Sequence, residues 1–379
     1  MKRRHSGIFF AFIASVMVVF SLLYATPGDC KIAIAIAGPT TGPGAQYGKL
    51  FKMGAEAAAY EINEKGGVNG EKIVIQMYDD KNSPTEAANV AQKISTDRDV
   101  VAVAGHFTSS CTHAAIPIYQ RNGIPILVVT ATDPSITKQG NSFVFRICLT
   151  QEVEGTAVAK WLVGKLGKKK IGAIYMNTDY GKAHFDNFSK MAIALGGKIA
   201  VEERYQPGTV DFTSILIKIK DADVEAMEIG TYYNDAALIA KQTRKMGITV
   251  PIAVSGAAKT PGLMELGGKA TEGIYSTQLP AGPRREQAEK IVKQLTGLKV
   301  IPAPDFAFTC YDAVHYIAEA VRIAGSTNRD AVRSALASIK DFPTNYGLGT
   351  FDQDRQVKYT YMEVVQVQDG RFVKVGDTR

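Results

Sequence analysis

The chain has 379 residues, 46% of them hydrophobic and 21% charged, with a formal net charge of +7. That length gives room for two domains with real cores, and the composition excludes both a disordered chain and a protein of many membrane spans. The positive excess falls to about +4 once Lys2, Arg3 and Arg4 are set aside. So small an excess fits solubility rather than a nucleic-acid footprint, and no nucleic-acid partner is expected.

Those three cations precede an uncharged run from Ile8 to Tyr24, and small residues follow at Ala25 and Gly28. This is the layout of a secretory signal peptide, and it predicts that residues 1–25 are removed and the mature chain is periplasmic. An uncleaved anchor is the alternative, because the apolar run nearly spans a bilayer. Pro27-Gly28-Asp29 ahead of Cys30 lacks the small-residue pattern of a lipoprotein signal. Export permits disulfides, and Cys30, Cys111, Cys148 and Cys310 allow three full pairings, among which the spacings do not choose.

From Lys31 onward, apolar strands alternate with helical segments. Strands are expected at 31–37, 72–78, 100–104 and 125–129, and helices at 48–65, 84–96 and 110–121. The rhythm restarts with helices at 152–166, 180–195, 212–220 and 235–246, and strands at 170–176, 199–205, 226–230 and 252–254. A helix over 305–324 and a strand pair, 359–368 with 371–375, close the chain. This alternation predicts an α/β fold of two three-layer lobes, each a parallel sheet wrapped by helices. Ligands of such sheets sit beyond the C-terminal strand ends, so a shared site is expected in the cleft between the lobes.

No Walker pattern, Gly-x-Ser-x-Gly elbow or His-Glu-x-x-His occurs, so neither a catalytic residue nor a cofactor is expected. The glycine-rich loop 38–48 carries Pro39 and Pro43, which remove amide donors that a phosphate cradle would use. His106, Cys111 and His113 are close in sequence, but the last two lie two apart at a helix start and face different ways, so no metal site is expected. The run Lys168-Lys169-Lys170 is a solvated turn.

More telling is Gly105-His-Phe-Thr-Ser-Ser-Cys-Thr112, which follows a strand, carries four hydroxyls and opens a helix. Free amides and hydroxyls at a helix N-terminus suit a carboxylate, although Ser109 or Ser110 would also serve as a plain cap. Thr130-Ala-Thr132 ends the next strand on the same edge and strengthens the case for ligand binding.

With these residues the mature chain resembles the periplasmic leucine/isoleucine/valine-binding family, also called type I periplasmic binding proteins. The likeness runs from Gly-Pro-x-x-Gly-x-x-Ala-Gln-Tyr-Gly48 through Ile62-Asn-Glu-Lys-Gly-Gly-Val-Asn-Gly70, Tyr78-Asp-Asp80 and Asn122-Gly-Ile-Pro125. It continues to Asp179-Tyr-Gly181 and Ala307-x3-Tyr-Asp-Ala313. The resemblance implies an N-terminal lobe of 26–147 plus 277–348 and a C-terminal lobe of 148–276 plus 349–379, joined by three crossovers. It implies a monomer that closes over a small carboxylate or amino acid and presents it to an inner-membrane ABC permease. Ser109 and Thr132 would hold the ligand carboxylate, and Thr130 would offer a backbone carbonyl to an amine. Tyr47, Tyr180 and Tyr232 would close over the ligand. The chain departs from the family where an acidic partner for the amine is common, since Ser255 stands there. On that ground an aromatic or branched aliphatic acid without an α-amine is favoured. The alternatives are an amino acid with a substitute acid, such as Glu228 or Asp235, or a sensing role for the same fold.

Overall fold

The computed structural model describes residues 31–379; the expected signal peptide and Cys30 lie outside the described residues. The first lobe is built on β1 (Lys31–Gly38), α1 (Ala45–Glu64), β2 (Lys72–Asp79), α2 (Pro84–Thr96), β3 (Val100–Ala104), α3 (Ser109–Arg121), β4 (Ile126–Val128) and β5 (Val144–Arg146). Its five strands run in the order β2-β1-β3-β4-β5, all parallel. β1 is buried from its second residue onward because helices cover both faces of the sheet, which is why it reads as an unbroken apolar run rather than an alternating one.

The second lobe opens with α4 (Gln151–Ala159), whose last turns continue as a π-helix over Lys160–Lys165. It continues through β6 (Lys170–Met176), α5 (Asp179–Ala194), β7 (Lys198–Tyr205), α6 (Thr213–Asp221), β8 (Ala226–Gly230), α7 (Tyr233–Lys245), β9 (Ile252–Val254), α8 (Pro261–Gly267) and β10 (Tyr275–Gln278). The chain then returns to the first lobe as α9 (Arg285–Thr296), α10 (Pro304–Ala324) and α11 (Arg329–Ser338), with a small hairpin of β11 (Phe342–Thr344) and β12 (Gly347–Gly349). Finally β13 (Glu363–Gln368) and β14 (Arg371–Asp377) add antiparallel strands to the second sheet, whose order is β14-β13-β10-β9-β8-β6-β7.

The long elements lie close to where periodicity puts them. Sequence pattern misses the short or polar ones: the three-residue β5, and β10, whose Tyr-Ser-Thr-Gln carries no apolar run. It also misses α8, α9, α11 and the β11–β12 hairpin. β10 pairs with β9 and β13 through Gln278, so the second crossover follows that residue. Past β12, Phe351 still packs on Phe145 and Tyr316 of the first lobe, with ring centroids 5.1 and 5.2 Å apart. Two crossovers run side by side: Arg146 N donates to Arg355 O, Val357 N to Arg146 O, and Gln356 Nε2 to Cys148 O.

The first lobe's core centres on α1 against α10, where Gly54 meets the backbone of Ala307 so closely that a Cβ would overlap its carbonyl oxygen. The buried His106 belongs to this scaffold, its Nδ1 2.7 Å from Asp80 Oδ2 and its Nε2 3.0 Å from the Tyr119 hydroxyl. His113 reaches Asp133 instead, at 2.9 Å. Among the described residues no group of three or more His, Cys, Asp or Glu side chains is placed to hold a metal ion. Cys111, Cys148 and Cys310 are buried free thiols, and burial pushes the first two up to about 12.

The α1–α10 contact gives a direct test. Gly54→Ala forces the two helices apart, and overpacking of this kind costs about 1–3 kcal/mol even after the helix-propensity gain. The urea midpoint of the variant should fall accordingly, and an unchanged midpoint would mean that the helices do not pack this closely.

Candidate functional site

The C-terminal strand ends of the two sheets face one another across a cavity with about 700 Å³ of empty space, counting its mouth. From the first lobe, the loop after β3 and the start of α3 contribute Phe107, Thr108 and Ser109, and the loop after β4 contributes Val129 to Thr132. The N-terminus of α3 is thereby aimed at the cavity, where the partial positive charge of its free amides favours an anion. Its cap is Thr108, whose hydroxyl accepts from Cys111 N at 3.3 Å, so neither Ser109 nor Ser110 is needed for that task.

The hydroxyls at this end are set up as donors. Thr132 Oγ1 accepts from Gln151 Nε2 at 2.8 Å, and Ser109 Oγ accepts from Asp133 N at 3.4 Å. Each hydroxyl with an acceptor position filled retains its own proton for a ligand. Thr130 differs: it lines the cavity, but its hydroxyl is turned back to Phe107 O at 2.9 Å.

The second lobe supplies the facing wall. Tyr180 and Tyr232 line the cavity and stack on each other, centroids 5.2 Å apart. The Tyr180 hydroxyl is buried without a hydrogen-bond partner among the described residues, and burial raises its pKa well above the usual phenol range. Tyr47 stands behind this surface. Its ring stacks on Phe107 at 3.9 Å, and its hydroxyl crosses the cleft to donate to Ala257 O at 3.1 Å. Ser255 is fully buried and spends its hydroxyl on the end of β8, donating to Thr231 O at 2.7 Å and accepting from Thr231 N at 3.2 Å.

Glu228 and Asp235, the expected substitute acids, are occupied elsewhere. Glu228 lies 2.7 Å from His184 Nε2 inside the second lobe, and Asp235 accepts from the Tyr205 hydroxyl at 2.8 Å. An acid the sequence did not single out, Glu154 in the first turn of α4, does line the cavity. In sequence it reads as an ordinary acidic residue near a helix N-terminus, so only the fold reveals its place. Lys259, Thr277 and Asp305 are likewise brought in from loops and ends that carry no motif.

The lobes are held together by contacts that span the cleft. Lys259 Nζ reaches Asp305 Oδ2 at 2.7 Å, with Arg285 on the other carboxylate oxygen at 3.3 Å. Burial alone would raise the Asp305 carboxyl, but these two cations hold it below the usual carboxylate range. Ser110 Oγ donates to Asp179 Oδ2 at 2.8 Å. The conformation is the closed one.

A family model of periplasmic binding proteins matches residues 31–371. The chain belongs to that family. A Leu/Ile/Val-binding protein homolog of Brucella suis is 31% identical over 344 residues, covering 90% of this chain and 92% of the relative. A branched-chain amino acid transporter substrate-binding protein of Streptococcus pneumoniae, solved in complex with isoleucine, is 27% identical with a TM-score of 0.83, covering 91% of this chain and all of that one. An ABC transporter solute-binding protein of R. palustris, solved with benzoate, shares the fold at 20% identity and a TM-score of 0.82, covering 92% of this chain and 96% of that one. These relatives are solute-binding proteins, and no helix of the described residues is long and apolar enough to cross a membrane.

Lys259 provides the test of closure. Replacing it with Met leaves Asp305 its Arg285 partner but removes the bond between lobes, a loss of about 1–2 kcal/mol in the closed state, or roughly five- to thirtyfold in apparent affinity. Small-angle scattering should show the variant needing that much more of whichever carboxylate compacts the wild type. Identical titrations would mean that the ion pair does not hold the lobes shut.

Proposed function

We propose that this protein is the exported, ligand-capturing component of an ABC-type importer of the branched-chain amino-acid type, that it is not an enzyme, and that it takes a small ligand bearing a carboxylate. The observation that carries this reading is the pair of donor-ready hydroxyls, Ser109 and Thr132, beside the N-terminus of α3 in an enclosed cleft between lobes. Support comes from the family and from a neighbour solved with isoleucine, itself a small carboxylate. The ligand's carboxylate takes the amides and hydroxyls of the first lobe, and its remainder lies against Phe107, Tyr180 and Tyr232. Closure of the second lobe then removes both from water, and the closed monomer is what the permease meets.

The preference for an acid without an α-amine rested on Ser255 standing where the amine's partner would be. Glu154 in the same cavity favours the alternative of an amino acid with a substitute acid beside that preference.

The carboxylate anchor is tested by calorimetry on Ser109→Ala and Thr132→Ala. Each removes a hydrogen bond to a buried anion, worth about 1.5–3 kcal/mol, so affinity should fall roughly tenfold to a hundredfold. Unchanged binding in both variants would place the anion elsewhere.

A further inference from the structure

A second cavity lies beside the crossovers and shares no lining residue with the cleft. It holds about 910 Å³ of empty space, counting its mouth. Its walls come from both lobes. Thr137, Lys138 and Arg146 belong to the first, Thr150, Glu152 and Val153 stand at the start of α4, and 352–360 belong to the returning crossover.

Arg146 is the unusual member of this wall. It is 1% exposed, yet every hydrogen-bond partner it has among the described residues is neutral. The Gln356 side chain accepts from Nε, Ala131 O and Asp133 O accept from Nη1 at 3.3 and 2.5 Å, and the Thr137 hydroxyl accepts from Nη2 at 3.4 Å. A guanidinium carries five N–H groups, so Nη2 keeps one without an acceptor. Carbonyls and amides orient such a group but do not balance its charge. Burial accordingly pushes the Arg146 pKa below the usual guanidinium value, and the carboxylates of Asp133, Glu152 and Asp352 offset only part of this.

Those acids have partners of their own. Glu152 meets Lys138 at 2.7 Å, Asp352 meets Lys358 at 3.4 Å, and Asp133 meets His113 at 2.9 Å. Asp354 also lines the cavity but is partly exposed, so water screens it. Of the charged groups in the wall, Arg146 alone is buried without an opposite charge among the described residues.

The start of α4 faces the same space. Thr150 is its N-cap residue, yet the Thr150 hydroxyl makes no capping bond, and the N–H of Glu152 has no acceptor among the described residues. Free amides at this end carry the positive pole of the helix. An anion lodged here meets a fixed guanidinium from one lobe and a helix end with a free hydroxyl from the other, a set of donors suited to oxyanions.

We propose that this cavity is a second binding site, for a small oxyanion that acts as the missing counter-charge of Arg146 and joins it to the N-terminus of α4. An oxyanion held in this way ties the first lobe to the second. The site stands apart from the cleft and does not depend on what the cleft binds.

Calorimetric titration with sodium phosphate and with sodium acetate, at fixed ionic strength and against sodium chloride, tests it. The proteins are the wild type, Thr150→Val, Lys138→Gln, Arg146→Lys and Ser109→Ala. The wild type should bind one or both oxyanions well above chloride, and the two salts tell a tetrahedral anion from a carboxylate. Thr150→Val removes a hydroxyl that makes no hydrogen bond among the described residues, and should weaken binding roughly tenfold. Lys138→Gln leaves the Glu152 charge unpaired beside the site and should weaken it several-fold. Arg146→Lys loses the planar fork and should abolish it. If that variant does not fold, the first two decide, since both leave the Arg146 bonds intact. Ser109→Ala, in the cleft, should leave this binding event unchanged. Oxyanion binding no stronger than chloride in the wild type would overturn the proposal. So would wild-type affinity retained in both Thr150→Val and Lys138→Gln, and if that binding fell in Ser109→Ala the anion would sit in the cleft.

Discussion

Bringing two lobes together strips water from every polar group in the cleft between them at once, and the structure is organised around meeting that constraint. Each charge that closure buries needs a partner already in place. Lys259 and Asp305 find each other across the gap, with Arg285 behind. His184 and Glu228 pair with each other beneath the wall. At the first lobe a helix terminus faces the cavity, with the Ser109 and Thr132 hydroxyls beside it already held by Asp133 N and Gln151 Nε2. Preorganisation of this kind lets a ligand gain from dipoles whose ordering the fold has already supplied.

The same constraint explains why the cleft is layered. Phe107, Tyr180 and Tyr232 face the cavity and supply flat apolar area with little side-chain entropy to lose. Behind them Tyr47 clamps Phe107 by stacking and crosses to the second lobe through its hydroxyl. Its contribution is thus to the closed state rather than to the ligand surface. Between the lobes, the crossover segments 146–148 and 355–357 run side by side and hydrogen-bond to each other. Glu154 and Gln151, in the first turn of α4, follow directly after this crossover in the chain.

Long apolar runs and helical periodicity made the α/β architecture and the two-lobe rhythm legible in the chain, because burial on both faces of a parallel sheet leaves an unmistakable pattern. The hydroxyl clusters at 108–112 and 130–132 were legible for a related reason: each follows a strand at its C-terminal end, and the fold class dictates where such ends point. Elements with weak patterns were not. β10 is polar because its neighbours in the sheet, not its own side chains, hold it in place, and β5 is only three residues long.

The sequence by itself determined the fold class, the family likeness and which hydroxyl-bearing strand ends line the cleft, all of which follow from local patterns along the chain. Tertiary structure alone decided which charges meet. Ser255 sits at the expected place in the chain, yet its hydroxyl bonds to the neighbouring strand end, since a one-residue change in direction at a strand terminus turns a side chain from cleft to sheet. Glu154 looks like an unremarkable first-turn acid, and comes to line the cavity only because α4, β9 and β10 converge on Gly256. Charge pairing depends on distances of a few ångströms between residues a hundred positions apart, and no local pattern records those.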